Sequence, residues 1–518
     1  MTPKFTRVWA YLPALAVLAA IFIWRWVQVR HLALPAWVDS VHHALLVRIL
    51  LEQGRLPDTW GPYLPQVPFF YHFGFHLSAA AVAKLFRLNV GQAVLVAGQC
   101  WQVALAASIY GLGLTVWRTQ PIAPENGRRP IAIQKALAAT LLVGFVSQMP
   151  AYYAAWGRYT LLAGVTLLTL AMAAALSRRM VLLAGLIVAV AITHLYALFL
   201  LGLFLAVLFL LAPKKQWRLL PAGSIGLLLA SPWLWRVFSN SYSAPMQAGV
   251  QETGYSLNYM LYLLGPHRNY ALLALALAGL VVVLGAAIRT RQGGKGAPSA
   301  LTAIAVWALP LVLLLGPWQF GPFRPDYHAA TVLFLPAVLL AAEGLWQWRR
   351  PAFIWGMVSA LVVWGLFTSV DIIRPDTVFV ASADVTAIDW VGANTPAEAT
   401  FLVDVVPWIA QWRGKDGGWW IAPLTGRRTV LPAAAYGWGS PAVVAAVRQA
   451  AARVYGLAWY HGDEYCRQVV EVMRANQAGY YYTHSPQPGD CPQLDTIYRD
   501  AAGPVMIYRL KSMDLPRN

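Results

Sequence analysis

Acidic residues are scarce in this sequence. Residues 1–370 contain seven carboxylates: Asp39, Glu52, Asp58, Glu125, Glu252, Asp326 and Glu343. Charged side chains of both signs make up 12% of the chain, against 59% apolar residues. Soluble domains carry about 25% charged residues, so the composition excludes a purely soluble protein. Three cysteines are too few for a disulfide framework or a four-cysteine zinc site. A P-loop, a dinucleotide fingerprint and any short internal repeat are also missing. The net charge is +18, but it does not point to nucleic acid. The basic residues of 1–370 sit mostly in short loops between apolar runs, where they orient a membrane protein.

What is present is a series of apolar runs near the length needed to cross a bilayer. They fall at 8–29, 91–117, 132–149, 160–177, 180–193, 195–212, 218–235, 270–288, 299–317, 328–346 and 351–370. Residues 68–87 decide the parity. If they cross, Arg118, Arg128, Arg129, Lys135, Arg178 and Arg179 fall outside. If they stay in the outer leaflet, these fall inside, together with Lys214, Lys215, Arg289, Arg291, Lys295, Arg349 and Arg350. The positive-inside rule favours the second case and eleven crossings. His72, His76 and Lys84 also make 68–87 a poor lipid-facing span.

The first run ends in Trp24, Arg25 and Trp26 rather than in a cleavage site, so it reads as an uncleaved helix. Residues 180–212 as one helix would measure about 50 Å, too long for a hydrocarbon core of about 30 Å. A break at Thr193–His194 makes two short crossings and puts His194 and Tyr196 on the outer side. The expected fold is a polytopic α-helical membrane domain over 1–370, with about eleven transmembrane helices. A C-terminal extracytoplasmic α/β domain follows over 371–518, where acid and base are nearly balanced.

The first outer loop, 30–90, concentrates the polar residues. Val38 to Gln53 reads as a helix with a broad apolar face and with Asp39, His42, His43 and Glu52 as polar positions. Such a helix lies in the membrane interface and holds Asp39 at the surface. Asp39 and His43 share a face at a spacing of four. Gly54 to Pro57 and an aromatic and proline run from Tyr63 to Tyr71 follow. Two readings of Asp39 stand: a general base that takes a proton from a hydroxyl, or a cap on the helix at 40–53.

This order of residues resembles the first external loop of the GT-C superfamily of membrane glycosyltransferases, which includes protein O-mannosyltransferases and lipid A aminoarabinose transferases. The resemblance rests on Asp39, His42 or His43, Gly54 to Pro57, and Tyr63 to Tyr71. It implies a bacterial-type plasma-membrane enzyme that moves a sugar, with inversion, from a polyprenyl-phosphate carrier to a lipid, glycan or protein acceptor on the outer face. Asp39 is then the catalytic base, with His42 and His43 orienting it, binding acceptor or joining it on a divalent metal. No cofactor is otherwise implied. The family often pairs its first carboxylate with a second. Here Ser40 follows Asp39, so that second group is missing or comes from elsewhere, with Asp326 as a candidate.

Three arginines stand at outer helix ends beside aromatic residues: Arg158, with Tyr159, in WGRY; Arg268 in GPHRNY; and Arg324 in FRPDYH, where Asp326 is a possible partner. Each suits the phosphate of a lipid-linked donor, and each is equally placed to snorkel to lipid headgroups. His194 faces the same side. The spans themselves are almost uniformly apolar, which argues against a transporter or flippase. A non-catalytic assembly protein is the other rival.

The C-terminal part opens with a helix around Val385 to Val391, a turn at Pro396 to Ala399 and a strand at Thr400 to Val405. Helix followed by strand suggests an α/β layer. Asp416, Trp419, Trp420, Arg427 and Arg428 fall on an expected loop, where the tryptophans would stack on a sugar or anchor the domain to the bilayer. Cys466 and Cys491 are the two cysteines of this part and are expected to pair if it faces an oxidising compartment.

Overall fold

The computed structural model describes residues 11–118, 125–243, 265, 267–292, 299–315, 325–408, 411–501 and 503–511. Each apolar run of the sequence is helical. The first is α1 (Leu12–Gln28), and the external segment forms α2 (Val38–Gln53), a small hairpin of β1 (Thr59–Trp60) and β2 (Leu64–Pro68), and α3 (Gly74–Phe86). The helices α4 (Val90–Arg118), α5 (Glu125–Leu141), α6 (Tyr159–Leu176), α7 (Met180–Thr193), α8 (Leu195–Leu211) and α9 (Leu219–Ser243) follow. Next come α10 (His267–Gln292), α11 (Ala300–Leu313), α12 (Pro325–Val332), α13 (Phe334–Leu345) and α14 (Pro351–Ser369). Five helical stretches among the described residues are long and apolar enough to cross a membrane: 90–118, 130–154, 159–176, 267–290 and 351–369.

The expected break in the long apolar run is present. α7 ends at Thr193, His194 is extended, and α8 starts at Leu195. The freed carbonyl of Ile192 accepts the Phe73 amide at 2.8 Å, so the entry to α3 is fastened to the break. Where helices meet without bulky side chains they pack backbone to backbone. A Cβ on Gly344 of α13 would lie 2.5 Å from the Leu275 carbonyl of α10, a close approach that only glycine permits.

The C-terminal part is α/β, as its pattern suggests. It contains α15 (Ser382–Asn394), β3 (Thr400–Val403), the hairpin β4 (Val405–Trp408) and β5 (Gln411–Gly414), α16 (Ile421–Thr425) and β6 (Arg428–Thr429). Then come α17 (Pro441–Gly456), α18 (Gly462–Ala475), β7 (Tyr480–Thr483), β8 (Leu494–Arg499) and β9 (Met506–Leu510). The main sheet has the order β6-β3-β7-β9-β8. Its first three strands are parallel, and β9 runs antiparallel to β7 and β8. Cys466 and Cys491 form a disulfide, with Cα atoms 5.2 Å apart.

Two expectations need correction. α2 has the expected bounds, but it does not lie half-submerged with one face in water. Val38, Ser40 to Val47, Ile49 and Leu50 are all buried. The helix is enclosed by α3 and α4 and, on its polar side, by the C-terminal part. There Arg48 Nη1 donates to the Pro423 carbonyl at 3.3 Å. Secondly, Lys135 is not an exposed loop charge. It is buried in an ion pair with Glu343.

Candidate active site

The site grows from the start of α2. Trp37 is the residue before the helix, and no side chain caps it. Asp39 therefore is not the cap, and its carboxylate is left for other work. Trp37 has φ 70 and ψ 169, a strained conformation for a residue with a side chain. Contacts from the C-terminal part hold it: its amide donates to the Thr377 carbonyl at 2.8 Å, and the Arg413 guanidinium lies 5.7 Å from its ring centre.

The segment before α6 brings the counter-charge. Gly157 has φ +63, and a Cβ there would lie 2.5 Å from Ser40 Oγ. Glycine thus lets the turn press onto the first residues of α2. The next residue, Arg158, comes within electrostatic reach of Asp39. Asp39 belongs to α2 and is half-buried. Burial pushes its carboxyl up to about 6, and Arg158 opposes that rise. A carboxylate with a pKa near ambient pH is suited to accept a proton.

Tyr71 completes this corner. Its hydroxyl shares a hydrogen bond with Thr160 and feels both Asp39 and Arg158. Tyr159 is buried, stacked on Phe75 at 5.6 Å and 6.5 Å from the His43 ring. Around these lies a group of histidines. His43 Nδ1 and His76 Nε2 are 3.0 Å apart. The His42 ring is 4.7 Å from that of His43, and His72 is 4.7 Å from His194. His328 lies 6.1 Å from His194 and 4.8 Å from Tyr196. Burial pushes His42 and His72 down to about 3, so both rings are neutral at physiological pH. Among the described residues, no group of three or more His, Cys, Asp or Glu side chains has the geometry to hold a metal ion.

The structure thus gathers Asp39, His42, His43, Arg158, Tyr159 and His194 from three separate stretches of sequence. Among the described residues the other candidates stand apart. Arg268 is buried, and its guanidinium donates to the Val146 carbonyl at 2.8 Å, to Thr368 Oγ1 at 2.9 Å and to Gln148 Oε1. Its donors tie α14 to the segment after α5. Arg324 and the side chain of Asp326 lie outside the described residues.

Asp416, Trp419 and Trp420 are not on an exposed loop. Asp416 caps a short turn through the Gly418 amide at 3.0 Å. Both tryptophans are 1% exposed. Trp419 donates to the Pro432 carbonyl at 3.0 Å, and Trp420 lies against Gly91 at the start of α4. They are packing residues, unable to stack on a sugar or rest in a lipid interface. Arg427 is equally committed, donating to the carbonyls of Gly392, Thr395 and Thr425. Arg428 is exposed on β6.

Tyr71, Thr160, His72 and His76 were not singled out by the sequence pattern as site residues, although Tyr71 ends the aromatic run. No protein-family model and no curated protein matches this sequence. Solved structures do match in fold. ArnT from Cupriavidus metallidurans superposes with a TM-score of 0.60 at 15% identity, over 97% of this chain and 98% of that one. A structure of the same protein bound to undecaprenyl phosphate gives 0.59 at 13% identity, over 96% and 97%. The arabinofuranosyltransferase AftD from Mycobacteria gives 0.60 at 15% identity, over 98% of this chain and 40% of that one. The oligosaccharyltransferase of Archaeoglobus fulgidus, tethered to an acceptor peptide, gives 0.53 at 12% identity, over 98% and 75%.

Proposed function

We propose, for a chain that has the GT-C glycosyltransferase fold, that it transfers a sugar from a polyprenyl-phosphate carrier to an acceptor hydroxyl. Asp39 is the general base. The acceptor oxygen attacks the anomeric carbon while Asp39 takes its proton. The bond from that carbon to the phosphate oxygen breaks, and polyprenyl phosphate leaves. A single displacement of this kind inverts the anomeric centre. Charge accumulates on the departing phosphate, and Arg158, with its fixed and bidentate fork, offsets it.

The observation that carries this reading is that Asp39 feels the charge of Arg158, whose neighbour Gly157 lets its turn press onto Ser40 at the start of α2. In this reading donor and acceptor converge at this corner, with its carboxylate and its guanidinium. Undecaprenyl phosphate bound to ArnT supports a lipid-linked donor. The chemistry is assigned to these side chains, with no step routed through a metal. In the same reading 1–370 is the membrane domain, crossing eleven times. Residues 371–518 form an extracytoplasmic domain on the side of Asp39, and the acceptor is a lipid, glycan or protein on that side.

Asp39→Asn tests it. Transfer by the purified variant from a polyprenyl-phosphate sugar should fall by ~10²–10⁴, with folding and membrane insertion unchanged. Activity equal to the parent would remove Asp39 from the mechanism. Absence of transfer in both parent and variant would favour an assembly role, which has no need of that carboxylate.

A further inference from the structure

The C-terminal part does more than cover α2. The turn Ala434–Trp438 is pinned to the β4–β5 hairpin, where the Trp412 amide donates to the Tyr436 hydroxyl at 2.8 Å. A Cβ on Gly437 would collide with Gln411, so the turn sits tightly on β5. From this anchored turn Trp438 projects into the external segment. Its indole is stacked on Tyr71, with centroids 4.9 Å apart and planes at 24°. It also lies 5.8 Å from Trp60, 6.0 Å from Phe70 and 6.3 Å from the His42 ring.

Tyr71 is the link to the chemistry. Its hydroxyl is held by Thr160 within reach of Asp39 and Arg158. The other rings about it, those of His42, His43, Trp60, His72 and His76, all come from residues 42–76. Trp438 comes from nearly four hundred residues later and from a different domain. A phenol ring turns about two side-chain torsions, and a flat partner on its face removes that freedom. The indole therefore fixes the plane of the Tyr71 ring against His42 and His43, one turn along α2 from Asp39.

We infer that Trp438 is a positioning residue for the transfer reaction, acting through Tyr71 on the Asp39–Arg158 pair. This rests on the activity proposed above. It adds that the C-terminal domain completes the site rather than only flanking it. The chemistry that Trp438 supplies is a planar apolar face, so phenylalanine should replace it in part and alanine should not.

The test uses the full-length protein with a fluorinated tyrosine at position 71, read by ¹⁹F NMR, in the parent, Trp438→Ala and Trp438→Phe. The fluorine line should shift or broaden in Trp438→Ala and return towards the parent position in Trp438→Phe. Misplacement of a reacting group by about 1 Å can cost about 10²-fold in rate, so kcat of Trp438→Ala should fall by roughly that factor. KM for the donor should stay within about twofold, because the donor's own contacts are untouched. Trp438→Phe should recover most of the loss. A fluorine line unchanged in Trp438→Ala overturns the inference whatever the activity. So does a displaced line with kcat equal to the parent. If the parent itself transfers no sugar, the proposed activity fails, and the fluorine line still decides whether Trp438 sets the Tyr71 ring.

Discussion

The Lys135 ammonium lies 2.7 Å from Glu343 Oε2, and the Trp117 indole N–H reaches the same oxygen at 2.8 Å. The Lys135 and Glu343 side chains are 9% and 11% exposed. Three helices, α4, α5 and α13, are thereby joined at one buried carboxylate. Glu343→Ala would leave a buried ammonium and an indole N–H without their acceptor. Breaking such a pair costs about 3–5 kcal/mol, which should appear as an earlier thermal transition of the detergent-solubilised protein. Replacing both charges together, Lys135→Met with Glu343→Leu, should recover much of that loss. A single variant that unfolds with the parent would show that the pair contributes nothing.

The pH dependence of transfer follows from Asp39. The base works when ionised, and burial raises its carboxyl to about 6. Activity should therefore rise with pH through about 6 and be lost below it. Arg158 lowers the Asp39 pKa, so Arg158→Gln should move the acidic limb upward. Its maximal rate should also fall, because the leaving phosphate loses its counter-charge. A limb that stays where the parent's is would separate Arg158 from Asp39.

Membrane sidedness can be read by cysteine labelling in a Cys100→Ala background. Ser382→Cys, at the exposed start of α15, should react with an impermeant thiol reagent applied from outside. Ser177→Cys, at the far end of α6 from Tyr159, should react only after the membrane is opened. The reverse pattern would sink both the eleven-span arrangement and the outward-facing site.

Much of the fold was legible because membrane helices are specified locally. A run such as 351–370 needs only length and apolarity to be helical, since its backbone groups must be satisfied within the segment. The break at Thr193–His194 followed from helix length and from the basic residues at both ends of the run, Arg178–Arg179 and Lys214–Lys215. The α/β character of the C-terminal part followed from a helix pattern leading into a strand. Asp39, His42, His43, Arg158, Tyr159 and His194 were candidates because polar residues are few in so apolar a sequence and these lie at the ends of its apolar runs or in the polar stretch 37–76.

The sequence by itself determined which segments are helices, where the long apolar run is interrupted, and that the polar residues of 37–76 form one group. The tertiary structure alone decided what those residues meet. Helix α2 is read from its own pattern as half-exposed, but its polar side is covered by α16, almost four hundred residues away. Trp420 looks like a surface aromatic until the start of α4 is packed against it, and Trp419 until its indole meets the Pro432 carbonyl. Arg158 and Arg268 have similar local surroundings. One reaches Asp39 because Gly157 lets its turn press onto α2, and the other is consumed by carbonyls and a side chain of neighbouring segments. Burial and charge pairing depend on which distant segments come together, and no local pattern of residues carries that information.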